Sequence, residues 1–223
     1  MRRTPALLLV LLAACATPSG RAPTGAFVDA ASVVPGLVVQ MRYAGTDNFV
    51  GRRVDGYRRP VCLLTRQAAA ALAQVQRDLA PEGHGLKVYD CYRPKRAVAH
   101  FMRWAADPSD TRTKARFYPD VAKSDLFREG YIAERSGHSR GSTLDLTLVG
   151  PAGQEVDMGS PHDLFSPRSW PDDRSIPEAA QRNRARLAAA MARRGFRPYD
   201  KEWWHFTLAG EPFPDSYFDF PVR

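Results

Sequence analysis

The 223 residues contain only three cysteines, and none stand as a Cys-x-x-Cys pair. A thiolate zinc knuckle and thioredoxin-type chemistry therefore have no support. His-Glu-x-x-His is missing, which removes the helical arrangement common among zinc proteases. No Gly-x-x-x-x-Gly-Lys-Ser/Thr occurs, so a phosphate-binding loop of that type is excluded. No apolar run approaches the length that spans a bilayer, and no internal repeat is present. Low-complexity sequence is confined to one short stretch near the start. What remains is ordinary: hydrophobic residues are 44% and charged residues 25%, close to globular averages. That composition excludes a disordered tail protein, a collagen-like chain and a coiled coil. The length suits one sizeable domain.

The net charge is +8. The basic residues are scattered among acids, so a basic exterior is the better reading than a nucleic-acid footprint, and no nucleic-acid partner is expected. A mildly basic surface also suits a polyanionic envelope. Arg2 and Arg3 belong to a leader. They precede an apolar stretch, Ala6–Leu12, and then Ala13-Ala14-Cys15. Small residues directly before a cysteine resemble a bacterial lipoprotein box, with cleavage after residue 14 and a lipid on Cys15. An ordinary secretory leader is the alternative. The expectation is an exported protein, periplasmic or an outer-membrane lipoprotein facing the periplasm, touching membrane only through Cys15. Residues 15–26, rich in Pro, Gly, Ser and Thr, read as a tether, and the folded unit as 27–223. Export permits a Cys62–Cys91 disulfide; two buried thiols are the other possibility.

Local patterns predict the elements. Thr65 caps a helix to about Ala80, ended by Pro81 and Gly83. Leu86–Cys91 reads as a strand. Pro94 opens a helix through Ala106, and Asp107–Asp125 looks irregular. Thr143–Val149 alternates Leu with Thr/Asp, a half-buried strand. Ser175-Ile176-Pro177-Glu178 suggests a capping box, opening a helix that runs to Arg194 and stops at Gly195. Trp203–Leu208 is a further strand. Helices and strands do not alternate regularly, which favours an α+β domain with a mainly antiparallel sheet.

Two of the five histidines sit in unusual company. His138 ends a Ser/Gly/Arg loop, and Asp145 lies on the polar face of the next strand. His205 follows Glu202-Trp203-Trp204. Two imidazoles and one carboxylate, His138, Asp145 and His205, make three zinc ligands with a fourth position open, the catalytic rather than the structural pattern. Packed histidines are the plainer alternative. Glu202, set among tryptophans, gains proton affinity by burial and suits a hydrolytic base. A serine-hydrolase reading is weak, because Ser139 merely adjoins His138. His84 and His100 read as surface or structural.

These motifs resemble the D-alanyl-D-alanine dipeptidase family, zinc metallopeptidases related to D,D-carboxypeptidases and hedgehog domains. The resemblance runs through Met41-Arg42-Tyr43-Ala44, Asp47-Asn48-Phe49, Tyr89-Asp90-Cys91-Tyr92-Arg93-Pro94-Lys95-Arg96-Ala97, His138-Ser139-Arg140-Gly141-Ser142, Asp145-Leu146-Thr147-Leu148, Met158-Gly159, Glu202-Trp203-Trp204-His205 and Ser216-Tyr217-Phe218-Asp219-Phe220-Pro221. It implies one Zn²⁺ per chain on His138, Asp145 and His205, with Glu202 as general base. It also implies Arg93 facing the oxyanion, and Ser136 and Asp163 at the substrate's amino end. The implied substrate is a small D,D-dipeptide. Alternatives are a peptidoglycan D,D- or L,D-carboxypeptidase and an inactive zinc-binding envelope module.

Overall fold

A computed structural model describes residue 23 and residues 25–223. The predicted leader, Cys15 and most of the tether lie outside the described residues. The last tether residues, Gly25 and Ala26, form a turn against the first helix, where the Arg66 N–H donates to the Ala26 carbonyl at 3.0 Å.

Seven strands and four α-helices are present among the described residues. Strand β1 (Phe27–Asp29) pairs antiparallel with β3 (Leu63–Thr65) as a separate ribbon. The main sheet has five strands: β2 (Val38–Val39), β4 (Gly85–Asp90), β5 (Thr143–Val149), β7 (Glu202–Leu208) and β6 (Phe196–Tyr199), in that spatial order. Only β2–β4 is parallel; the other pairs are antiparallel. The α+β, mainly antiparallel expectation holds.

Helix α1 (Arg66–Leu79) starts as predicted, with the Thr65 hydroxyl accepting from the Ala68 N–H. Gly83, left-handed at φ 73°, follows its terminal 3₁₀ turn. Helix α2 (Lys95–Ala105) places Pro94 at its N-cap, one residue earlier than expected. A short helix, α3 (Lys114–Phe117), lies within the stretch predicted irregular. Helix α4 (Glu178–Arg193) ends before Gly195, but the capping box does not form. Asp173 takes both the Ser175 N–H and its hydroxyl, leaving Pro177 as cap. The other difference concerns β5: all seven residues are buried, not half of them. It lies in the middle of the sheet, so both faces are covered.

Helix α1 packs against α4, which also lies on β5, β6 and β7. The buried stripe of α2, with Phe101 and Trp104, packs into an aromatic cluster with Tyr43, Phe49, Tyr118 and Phe165. The irregular segment 158–170 is tied to α4 by the buried Arg184 guanidinium. It donates to the carbonyls of Met158, Arg168 and Trp170 and to the Ser160 hydroxyl. Burial pulls its pKa down to about 10. This clamp holds in place the loop that carries His162 and Asp163.

Candidate metal centre and active site

Strand register builds the centre. Asp145 on β5 lies opposite Asp90 on β4 and opposite His205 on β7. Three strands thus present Asp90, Asp145 and His205 in one row at one end of the sheet. His138 arrives from a 3₁₀ turn, Gly137–Arg140, just before β5. Gly141 closes that turn at φ 82°, and a Cβ there would stand 2.1 Å from the Phe27 ring. A side chain there would collide with that ring and also strain a left-handed backbone, which is why glycine occupies the position.

His138 Nε2 is 3.3 Å from Asp145 Oδ1 and 3.3 Å from His205 Nδ1. His205 Nδ1 is 3.1 Å from Asp145 Oδ1. One ligand atom from each of the three lies within 4.8 Å of the others. Asp145 Oδ1 is buried with no hydrogen-bond partner. An orphaned carboxylate oxygen facing two imidazole nitrogens fits a divalent cation, and N/O donors of this kind suit zinc. Burial pushes the Asp145 pKa up, but His138, with help from His162 and His205, holds it well below the usual carboxylate range. Burial pulls the His138 pKa down, toward the neutral imidazole a metal needs.

The other predicted residues surround this cluster. Glu202 Oε2 is 3.4 Å from His205 Nδ1. Strict alternation would put residues 202 and 205 on opposite faces of a strand. Glu202 is the first residue of β7, where the β6 ladder slips between Pro198 and Tyr199, and that irregularity lets the two meet. Burial raises the Glu202 pKa to about 7, against the pull of His205. Arg93 donates from Nε to Asp90 at 2.9 Å, and its Nη2 is 3.6 Å from Asp145 Oδ2. Its guanidinium lies over the rings of Tyr43 and Phe101, 5.1 Å from each centroid. Burial opposes its charge, but the carboxylates of Asp90 and Asp145 keep it protonated. Ser136 caps the His138 turn by accepting from the His138 N–H, and receives Arg93 Nη1 at 3.5 Å. Asp163, left-handed at φ 63°, is buried beside the Tyr43 hydroxyl, at 3.0 Å and 3.1 Å. Burial raises its pKa. Arg93, Ser136, Asp145, Asp163, Glu202 and His205 all line one cavity of about 240 Å³. Its apolar wall comes from Phe49, Val98, Phe101, Phe165 and Trp204.

Sequence reasoning missed three participants. His162 is buried, with Nε2 3.4 Å from Asp163 Oδ1 and 3.7 Å from Asp145 Oδ2. Its adjacency to Asp163 was the available sign. Asp90, fully buried, accepts from Tyr57 Oη at 2.6 Å as well as from Arg93. Tyr43 is the third. His100 is structural as expected, its Nδ1 accepting from the Asp55 N–H. Gly137-His138-Ser139-Arg140-Gly141 does spell the Gly-x-Ser-x-Gly of serine hydrolases. However, it forms a 3₁₀ turn leading into β5, not a strand-to-helix elbow, and Ser139 Oγ is buried without a hydrogen-bond partner.

Cys62 and Cys91 form a disulfide, with Cα atoms 5.2 Å apart.

The chain is similar to several known proteins. A dipeptidase from Streptomyces coelicolor, named D-alanyl-D-alanine dipeptidase, is 46% identical over 89% of this chain and 99% of its own. One of the same name from Enterococcus faecium is 43% identical over 88% of this chain and 97% of its own. One from Escherichia coli is 37% identical over 83% and 86%. Among solved structures, a vancomycin-resistance D,D-pentapeptidase in complex with Zn(II) superposes with a TM-score of 0.43 at 12% identity, covering 82% of this chain and 94% of that one, a likeness too distant to bear on the site. The peptidase family model described as D-ala-D-ala dipeptidase matches residues 24–223, and the chain belongs to that family.

Proposed function

We propose that this protein is a zinc-dependent dipeptidase that hydrolyses D-alanyl-D-alanine or a closely similar D,D-dipeptide to free amino acids. The observation that carries it is the convergence of His138, Asp145 and His205 at the wall of a small cavity, which Asp145 and His205 line together with Glu202 and Arg93. Zinc, when held by those three residues, acidifies water and polarises a carbonyl. Glu202, beside His205 and open to the cavity, takes a proton from the attacking water. The hydroxyl oxygen bonds to the scissile carbonyl carbon, the C–N bond breaks, and Glu202 returns the proton to the leaving amine. Arg93 is held rigid by Asp90 and two rings, so its cavity-facing edge stabilises negative charge on the carbonyl oxygen without reorganising. Asp163 and Ser136 receive the substrate's ammonium end. The Tyr43 hydroxyl and the Arg184-clamped loop hold Asp163 in place. A cavity of about 240 Å³ favours a free dipeptide over a longer stem peptide.

The test is a panel of dipeptides and a pentapeptide ending in D-Ala-D-Ala, given to zinc-loaded protein. Release of D-alanine from the dipeptide alone is expected. Cleavage of the pentapeptide at a comparable rate would make it a carboxypeptidase instead. No cleavage of either, with zinc bound, would make it a binding module. We also propose that the enzyme works outside the cytoplasm, anchored through Cys15, because Ala13-Ala14-Cys15 follows a basic and apolar leader. Metabolic labelling with a fatty acid should mark the wild-type chain and spare Cys15→Ala; unlabelled wild type would refute the anchor.

A further inference from the structure

The Cys62–Cys91 disulfide adjoins the His138 side of the metal centre through the Cys91 backbone, and the mechanism above makes no use of it. Both cysteines are fully buried. Cys91 follows Asp90, the last residue of β4. Its carbonyl belongs to the Cys91–Tyr92 peptide, which lies beyond the β4 ladder and is tied instead to β3, the strand that Cys62 precedes. The carbonyl oxygen lies 2.7 Å from His138 Nδ1, and Arg93 N–H donates to the His138 carbonyl at 3.2 Å. A carbonyl on Nδ1 selects the tautomer that leaves the Nε2 lone pair facing Asp145 and His205, and it sets the ring's angle.

Cys62 immediately precedes β3, and β3 touches the His138 turn at its far end. Thr65 N–H donates to the Gly141 carbonyl at 2.8 Å, and its hydroxyl lies 2.7 Å from that of Ser142. Tyr92 N–H donates to the Leu63 carbonyl at 2.9 Å. The contacts close a ring from Cys62 through β3 to Gly141, back along the turn to His138, across to the Cys91 carbonyl and through the bridge to Cys62. Every other link in that ring is a hydrogen bond or the chain itself; the disulfide is its one covalent cross-link.

Resting on the zinc reading of this centre, we propose that the Cys62–Cys91 disulfide is a positioning element for zinc binding. It holds the Cys91 carbonyl where it orients His138, in addition to any stability that it supplies.

Two variants test this: Cys62→Ala/Cys91→Ala, and Cys62→Val/Cys91→Ala, which restores some of the lost side-chain volume. Circular dichroism establishes whether each is folded, and competition with a chromogenic chelator gives the zinc dissociation constant. Outer partners of metal-ligating histidines change metal affinity about 10–100-fold. Both variants should be folded and bind zinc weaker by that factor, and turnover should return as free zinc is raised. The proposal is overturned if folded variants bind zinc within about twofold of wild type, whatever their melting temperatures. It is also overturned if both variants unfold, since the bridge would then be a staple of the fold. Wild type is the control that separates the two ideas: failure of wild type to bind zinc would refute the metal reading itself, whereas equal binding by wild type and variants refutes only the bridge's role.

Discussion

Replacing Arg93 should separate what this side chain does for the fold from what it does for the reaction. Its Nε bonds to an Asp90 carboxylate with no exposed surface, while the Arg93 side chain as a whole is 13% exposed and lines the cavity. Arg93→Ala leaves Asp90 with the Tyr57 hydroxyl as its remaining strong donor. Stranding one member of a buried ion pair costs about 3–5 kcal/mol. At roughly 2–4 °C per kcal/mol for a domain of this size, the melting temperature should fall by about 6–20 °C. Losing one oxyanion donor costs about 10²–10³ in kcat, or about 2.7–4 kcal/mol. Arg93→Lys keeps a cation near Asp90 and should regain much of the stability. It lacks the planar fork that reaches Asp90 and the cavity together, so kcat should stay at least about tenfold below wild type. Differential scanning fluorimetry gives the first quantity, and D-alanine release at saturating dipeptide and zinc gives the second. A folded Arg93→Ala enzyme with kcat within about twofold of wild type would refute the oxyanion role.

Other perturbations address the remaining residues. Glu202→Gln preserves shape and should leave zinc content unchanged while kcat drops about 10²–10⁴-fold; undiminished turnover would mean that another group moves the proton. Asp163→Asn removes the charge opposed to the substrate ammonium and should raise KM at least about tenfold with a smaller change in kcat; an unchanged KM would place the ammonium elsewhere. Chelation should abolish hydrolysis and lower the melting temperature, since a metal bound only by the folded state stabilises it. Adding zinc should restore both, and turnover that survives full removal of metal would contradict the mechanism.

Much of the centre was legible in the sequence because its parts carry local signatures. His138 sits in a glycine-bounded turn, Asp145 on an alternating strand and Glu202 three residues before His205. What could not be read locally was the cross-strand row of Asp90, Asp145 and His205, which depends on the register of three strands distant in sequence. Asp90 and Tyr57 gain their importance only from that register. His162 stayed without a role because its segment has no helix or strand period; Arg184, far along the chain, fixes its place. The depth of β5 was underestimated for a related reason: alternating Leu with Thr and Asp signals one wet face, but here that face carries the buried centre. The capping box failed because Asp173 competes for Ser175. The disulfide is not legible in the sequence, since spacing alone does not bring two cysteines' Cα atoms to 5.2 Å.

Anomalous diffraction at the zinc edge, from crystals of the zinc-loaded domain beginning after Cys15, would test the central claim most directly. The expected result is one strong peak per chain, within bonding distance of His138, Asp145 and His205 and beside the Glu202 carboxylate. A peak held by other residues, or no peak in protein that hydrolyses the dipeptide, would contradict it.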